Sequence, residues 1–339
     1  MATAPIAVTM GDPNGIGSEI TIKTWQARSK ATPAFFLIDN PSRIEQLLGH
    51  FGLAGEVTAI KAPGEAVGRF TDTLPVLPIE VDERTSFGAA DTAHSASILE
   101  SLNIATQLCL NGEASALLTN PINKEMLHKV GFSFPGHTEF LEAACAAPNL
   151  MPSRAIMMLA SRFLRVVPVT IHLPLSEVAS TLSSKAIREV GLTVDTALRV
   201  DFDVVNPRIA VAALNPHAGE GGSFGTEETD IIAPAISELQ SVGVNATGPY
   251  PADSLFHEDR RRDFDAVICM YHDQALIPLK TLSFFDGANI TLGLPIVRTS
   301  PDHGVAYDIA GTYAADNRSF AAALEAAEKI SANRKLNRP

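Results

Sequence analysis

Short apolar runs alternate along the chain with longer stretches whose apolar positions recur three and four residues apart, the pattern of buried strands and amphipathic helices. Residues 6–10 and 34–38 read as strands. Residues 88–111 read as one long helix, opened by Gly88 and closed near Asn111-Gly112, and 116–118 as a strand running into Thr119-Asn120-Pro121. A helix over 137–147, strands at 155–159 and 166–171, and a helical stretch in two pieces over 176–200 follow. Strand 208–214, helix 228–241, strand 264–271 and an Ala- and Glu-rich terminal helix over 319–335 complete the reading. Strands alternating with helices predict an α/β fold around a mostly parallel sheet. The Pro- and Gly-bearing region 61–78 is the most linker-like. No clean break separates two domains, which favours two lobes with the chain crossing between them more than once.

Composition narrows the function classes. The 339 residues suffice for two domains or one large α/β unit. Aromatics are only 6% against 46% hydrophobic residues, so Ala, Leu, Val and Ile fill the interior, as in helix-on-sheet packing. A net charge of −12 argues against nucleic acid or an anionic membrane as a partner, although local basic residues can still serve an anionic substrate. Cys109, Cys145 and Cys269 are odd in number and widely spaced, which suits a reducing cytosol. The N-terminus carries no signal-peptide pattern, and no apolar stretch is long enough for a bilayer.

The chemistry lies at strand ends. Three apolar runs lead into His172, into Asn215-Pro216-His217 and into His272-Asp273. Open α/β sheets place ligands at strand ends, and neutral imidazole is the commonest protein metal ligand. One such histidine alone reads as a surface residue; three repeats favour a divalent metal held with a position open for substrate. Asp273 is placed to orient His272 or to act as a further ligand.

Four other segments stand out. Thr9-Met10-Gly11-Asp12-Pro13-Asn14-Gly15-Ile16-Gly17 joins the first strand to the first helix, with glycines for a tight turn and close approach of another group. In Phe134-Pro135-Gly136-His137-Thr138-Glu139-Phe140, His137 or Thr138 is placed to cap a helix or to meet an anion at its start. Asn215-Pro216-His217-Ala218-Gly219-Glu220-Gly221-Gly222-Ser223-Phe224-Gly225 is too glycine-rich for an ordinary strand exit and reads as a functional loop. Lys280, Asn289 and Arg298 sit in apolar surroundings, where a cation is costly unless paired with a protein carboxylate or an anionic substrate.

With Tyr271-His272-Asp273-Gln274, Asn289-Ile290-Thr291-Leu292-Gly293-Leu294-Pro295 and Asp302-His303-Gly304, these segments in this order resemble the 4-hydroxythreonine-4-phosphate dehydrogenases of vitamin B6 biosynthesis, over nearly the whole chain. The resemblance implies the two-lobed isocitrate/isopropylmalate dehydrogenase-like fold and a homodimer with its active site at the subunit interface. It places a cofactor-side lobe at 1–130 plus 300–339 and a metal, substrate and dimer lobe at 131–299. It implies one divalent ion (Zn, Co, Mg or Mn) on His172, His217 and His272, with ligands contributed across the interface. It implies substrate contacts from His137, Thr138, Lys280, Asn289 and Arg298. Lys280, Asp253 and Asp273 are the catalytic candidates. NAD or NADP would lie against Gly11, Asp12, Asn14, Gly15, His303, Gly304, Asp308 and Gly311. The implied reaction is oxidation of 4-phosphooxy-L-threonine to 2-amino-3-oxo-4-phosphooxybutanoate, then decarboxylation to 3-amino-2-oxopropyl phosphate. Competing readings are a dehydrogenase of threonate or erythronate 4-phosphate, a phosphate acetyltransferase-like enzyme, and a non-catalytic phosphometabolite-binding protein. The chain departs from the family pattern at Ser18, where Pro is usual, at Ala275, where Gly is common, and at Tyr313, a frequent Gly.

Overall fold

Twelve strands are found in the computed structural model, which describes residues 4–82, 84–134, 136–146 and 154–337. In chain order they are β1 (Ile6–Thr9), β2 (Phe35–Asp39), β3 (Val57–Ala59), β4 (Leu74–Pro78), β5 (Ala116–Leu118), β6 (Ile156–Ala160), β7 (Arg165–Pro168), β8 (Ile209–Ala212), β9 (Ala246–Tyr250), β10 (Ala266–Cys269), β11 (Ala288–Leu292) and β12 (Arg298–Pro301). The chain forms two compact units, Met1–Ala155 with Leu294–Ser331, and Ile156–Gly293 with Ala332–Pro339. These divisions fall later than 130 and earlier than 300, so His137, Thr138 and Arg298 belong to the first unit.

In the first unit the strands run β3-β4-β2-β1-β5-β12, every pair parallel. β1 and β2 are buried at every residue, which is why they read as unbroken apolar runs. Ala7, Met10, Phe36, Ile38, Leu102, Leu117, Leu127 and Leu141 are among the buried residues of one core cluster. Region 61–78 is no linker: it holds the helix Glu65–Arg69 and β4, whose Pro75 and Pro78 disguised it. The long helix is Ser95–Leu110, not 88–111, because Gly88 is left-handed and residues 88–94 form turns that pack on Asn14.

The second unit orders its strands β11-β6-β7-β10-β8-β9. β6 is antiparallel to both β11 and β7; β7, β10, β8 and β9 are mutually parallel. Its core gathers Leu159, Val166, Ala210, Val267, Ala275 and Leu279. The helical stretch after β7 is in two pieces, Leu175–Thr181 and Ser184–Val200, the second capped by the Ser183 hydroxyl on Ala186 N–H. The expected helix over 228–241 begins as a wide turn at Glu228–Ile232 and continues as Ala233–Ser241.

Two buried ion pairs brace the units separately. Arg43, fully buried, grips Asp39 with Nε and Nη2, and Nη2 also donates to Ser18 Oγ at 2.7 Å. The Ser18 departure thus has a physical reason: its hydroxyl supplies an acceptor that Pro lacks. In the second unit Arg334 donates to both oxygens of Asp201, at 2.6 and 2.9 Å. Among the described residues no helix is long and apolar enough to cross a membrane.

Candidate functional site

The parallel pairing of β7, β10 and β8 brings the loops bearing His172, His272 and His217 to one sheet edge, the carboxyl ends of the strands. Gln274 ties two of these ends together: Oε1 accepts from Met270 N–H and Nε2 donates to Ala213 C=O, both at 2.7 Å. Thr170 Oγ donates to Met270 C=O at 2.8 Å, fixing the turn before His172. The His172 and His272 rings stand 6.0 Å apart, centroid to centroid, in a cleft of about 330 Å³ lined also by Leu173, Leu175, Tyr271 and Asp273. His272 Nδ1 lies 2.7 Å from Asp273 Oδ1. A carboxylate only accepts, so in that contact Nδ1 carries the proton and Nε2 keeps its lone pair.

His217 is not part of this pair. Residues His217 to Gly221 all have positive φ, between 40° and 78°, forming a left-handed turn that leaves the His217 side chain exposed. Three of the five are not glycine, so the turn is held from outside. Glu228, a residue the sequence reading did not single out, fixes the backbone that enters the turn. Its buried carboxylate accepts from Leu214 N–H at 2.9 Å, Asn215 N–H at 2.8 Å and Asn215 Nδ2 at 3.0 Å. Gly219 has no room for a side chain: a Cβ there would lie 2.7 Å from Glu228 Oε2. Among the described residues of one chain, no three His, Cys, Asp or Glu side chains are grouped to hold a metal.

Elsewhere in this unit Lys280 lies in the last turn of the helix His272–Leu282, its ammonium 5.4 Å from the Phe284 ring centroid. Asp253 is exposed in the first turn of the short helix Ala252–Leu255. Asn289 is on β11 beside Leu159, and its Oδ1 is buried without a hydrogen bond.

The first unit holds a cationic corner. Arg298 begins β12, is 3% exposed, and donates to Thr119 Oγ at 2.6 Å. Burial pulls its pKa down to about 10, opposed by Glu139. His137 and Thr138 open the helix His137–Ala144, but neither caps it; Gly136 occupies the cap position with no side-chain bond. The His137 imidazole is held well below its usual pKa, first by desolvation, then by Arg298 and Lys124. His137 is therefore neutral at pH 7, a donor through one nitrogen only. Lys124, near this corner, was not singled out from sequence.

The residues proposed for the dinucleotide also lie in this unit, and several have a packing reason. A Cβ on Gly11 would meet Asn120 Cβ at 2.6 Å, and one on Gly15 would meet Val305 C=O at 2.8 Å, so the close approach they permit is to protein. Asp12 is buried, accepts from Tyr307 Oη at 2.5 Å and from Asn14 N–H at 2.9 Å, and has its pKa raised, chiefly by burial. Asn14 spans to Ala89 C=O and Asp91, and its Oδ1 accepts from Ser86 N–H. Gly311 is left-handed and a Cβ there would strike Phe87. Open space remains at Gly304, and His303 and Asp308 are exposed. Tyr313 adopts φ 60°, its ring 5.0 Å from Phe51 and its carbonyl accepting from Lys23 Nζ at 2.6 Å. That left-handed backbone explains why Gly is frequent there.

The chain is similar to known proteins along nearly its whole length. Residues 31–327 match the family described as pyridoxal phosphate biosynthetic protein PdxA. A 4-hydroxythreonine-4-phosphate dehydrogenase from Caulobacter vibrioides is 49% identical over 335 residues, covering 98% of this chain and 99% of that protein. One from Methylorubrum populi is 46% identical over 329 residues, 96% of this chain and 94% of its own. The crystal structure of the Klebsiella pneumoniae 4-hydroxythreonine-4-phosphate dehydrogenase superposes with a TM-score of 0.84 at 37% identity, over 97% of this chain and 99% of that one. The mostly parallel α/β architecture is thus shared along nearly the whole length with a solved dehydrogenase. The chain belongs to the PdxA family of pyridoxal phosphate biosynthetic proteins, a family of dehydrogenases.

Proposed function

We propose that the chain oxidises the secondary alcohol of 4-phosphooxy-L-threonine with NAD or NADP, as a cytosolic homodimer whose active sites combine residues of both subunits. The product, 2-amino-3-oxo-4-phosphooxybutanoate, then loses CO₂ to give 3-amino-2-oxopropyl phosphate. The observation that carries the reading is the pairing of His172 and His272 with Asp273 on Nδ1. Two imidazoles on one ion, with metal–nitrogen bonds of about 2.1 Å, have centroids roughly 5–6 Å apart. The observed 6.0 Å fits that geometry. The pair supplies two ligands, and His217 of a second copy of the chain supplies the third. A divalent ion bound by these histidines would supply Lewis-acid stabilisation of charge on the substrate oxygen, and a bound NAD or NADP would supply the hydride acceptor.

The protein's own groups do the rest. Arg298 offers a planar, bidentate donor to an anionic group of the substrate. Neutral His137 and the Thr138 hydroxyl add donors without adding charge. Asn289 Oδ1, buried and without a donor, accepts from a substrate N–H or O–H. Lys280 and Asp253 are the groups for proton transfer, and Asp273 keeps His272 in its tautomer. Exposed His303 and Asp308, with the open space at Gly304, take the adenosine side of the cofactor.

The test is nicotinamide reduction with a panel of 4-phosphooxy-L-threonine, threonate 4-phosphate and erythronate 4-phosphate, before and after chelation. Turnover of the amino acid above the sugar acids, lost on chelation and restored by a divalent ion, is expected. A preference for either sugar acid, or turnover indifferent to chelation, would overturn the assignment.

A further inference from the structure

We propose that Lys124 is the ammonium that recognises the substrate's phosphate dianion, acting beside Arg298 and His137. The proposal rests on the reading above that Arg298 and His137 bind the anionic end of the substrate.

Lys124 opens the helix Lys124–Lys129, and that start is fixed by its neighbours. Asn123 Oδ1 accepts from Met126 N–H at 3.3 Å, and Asn123 Nδ2 donates to Tyr307 Oη at 3.1 Å. Tyr307 in turn donates to the buried Asp12. The backbone carrying Lys124 is therefore anchored to the first unit's core through side chains. The ammonium lies at the start of the neighbouring helix: a Cβ on Gly136 would stand 3.2 Å from Lys124 Nζ and 3.2 Å from its Cε. Any larger residue at 136 would push the ammonium away.

Lys124, Arg298 and the opening N–H groups of the helix His137–Ala144 all present positive charge to one corner. Glu139, whose Oε2 would lie 3.4 Å from the same Cβ, offsets part of it. Cations gathered this way repel one another unless an anion joins them. Both depress the His137 imidazole, so the corner already behaves as positive. Lys124 is exposed, so its ammonium is reachable from solvent. A phosphate monoester carries a charge near −2 at pH 7, and a lysine meets it as a point charge while arginine clamps two oxygens. Lys124 thereby favours a phosphate over an uncharged hydroxyl at the substrate's end.

Lys124→Met, Lys124→Arg and Arg298→Met are compared, folding being checked by circular dichroism. Calorimetric binding of inorganic phosphate, steady-state kinetics with the phosphorylated substrate, and the NMR titration of His137 are the readouts. For Lys124→Met the phosphate Kd and the KM rise roughly 10- to 100-fold, kcat changes little, and the His137 midpoint moves up toward its usual value. Lys124→Arg restores most of the affinity. Wild-type phosphate binding in Lys124→Met, with binding lost in Arg298→Met, overturns the role of Lys124 alone. Wild-type binding in both variants overturns the anion corner itself.

Discussion

A hybrid dimer tests the division of the metal ligands between subunits. His172 and His272 share one cleft within a chain, their rings 6.0 Å apart, while His217, on the left-handed turn at 217–221, is not grouped with them among the described residues. If His217 reaches the ion from the other subunit, each site contains the 172/272 pair of one chain and the 217 ring of the other. Each subunit of a symmetric dimer then contributes to two sites. In a hybrid of His217→Ala with His272→Ala, one site receives the intact pair from the first chain and an intact His217 from the second. The other site lacks both. Isolated with two affinity tags, that hybrid should bind about half the wild-type metal and show about half the turnover. Random mixing without separation gives hybrids as half of all dimers, so about a quarter of wild-type activity. The parent homodimers should show next to none. A hybrid of His172→Ala with His272→Ala is the control: both changes hit the same pair, so neither site survives. Metal content by atomic spectroscopy and nicotinamide reduction are the two assays. A metal-free His217/His272 hybrid, or an active His172/His272 hybrid, would refute the reasoning.

Three further outcomes follow from the geometry. Ser18→Ala removes an acceptor from the buried Arg43 guanidinium and should cost about 1–3 kcal/mol, read from urea unfolding midpoints at unchanged m-value. Glu228→Leu strips the acceptor from the Leu214 and Asn215 backbone N–H groups, the Asn215 amide keeping Glu227; a loss of roughly 2–4 kcal/mol is expected, with metal affinity falling about 10- to 100-fold as the His217 turn loosens, and unchanged metal affinity would count against Glu228 as its holder. His137 has a depressed pKa in the folded state, so below about pH 6.5 the unfolded chain takes up a proton that the native chain does not, and stability falls as pH drops from there toward the folded value; His137→Gln should flatten that part of a Tm-against-pH profile, and an unchanged slope would show that another group carries it.

The legible parts of this molecule are those where a local signal is strong. Buried parallel strands are continuous apolar runs, so β1, β2, β5, β8 and β10 were marked to within a residue or two by hydrophobicity alone. β4 was not, because Pro75 and Pro78 imitate a linker; its first proline pairs with Thr58 of the short strand β3. The helix over 88–111 was overlong because polar residues such as Asp91 and Thr92 do not break a helical period, while the packing that ends it, Gly88 N–H on Asn14 C=O, is remote in sequence.

At the site, candidate residues could be named from the sequence and their grouping could not. Strand-end position marked all three histidines, but the sequence says nothing of the backbone hand at 217–221, where His217 stands apart from the 172/272 pair. Glu228 was not singled out, and Gln274 was quoted only within the Tyr271–Gln274 motif with no role given to it, for a related reason. An acidic residue before a helix and a polar residue within one look solvated, and only the folded chain reveals that one carboxylate satisfies the 214–215 backbone and that one amide bridges Met270 to Ala213. Such residues fix the backbone that carries the candidate histidines. It follows that variation at 228 and 274 should disturb metal binding nearly as much as variation at the histidines, while exchange of exposed loop residues such as Val205 should not.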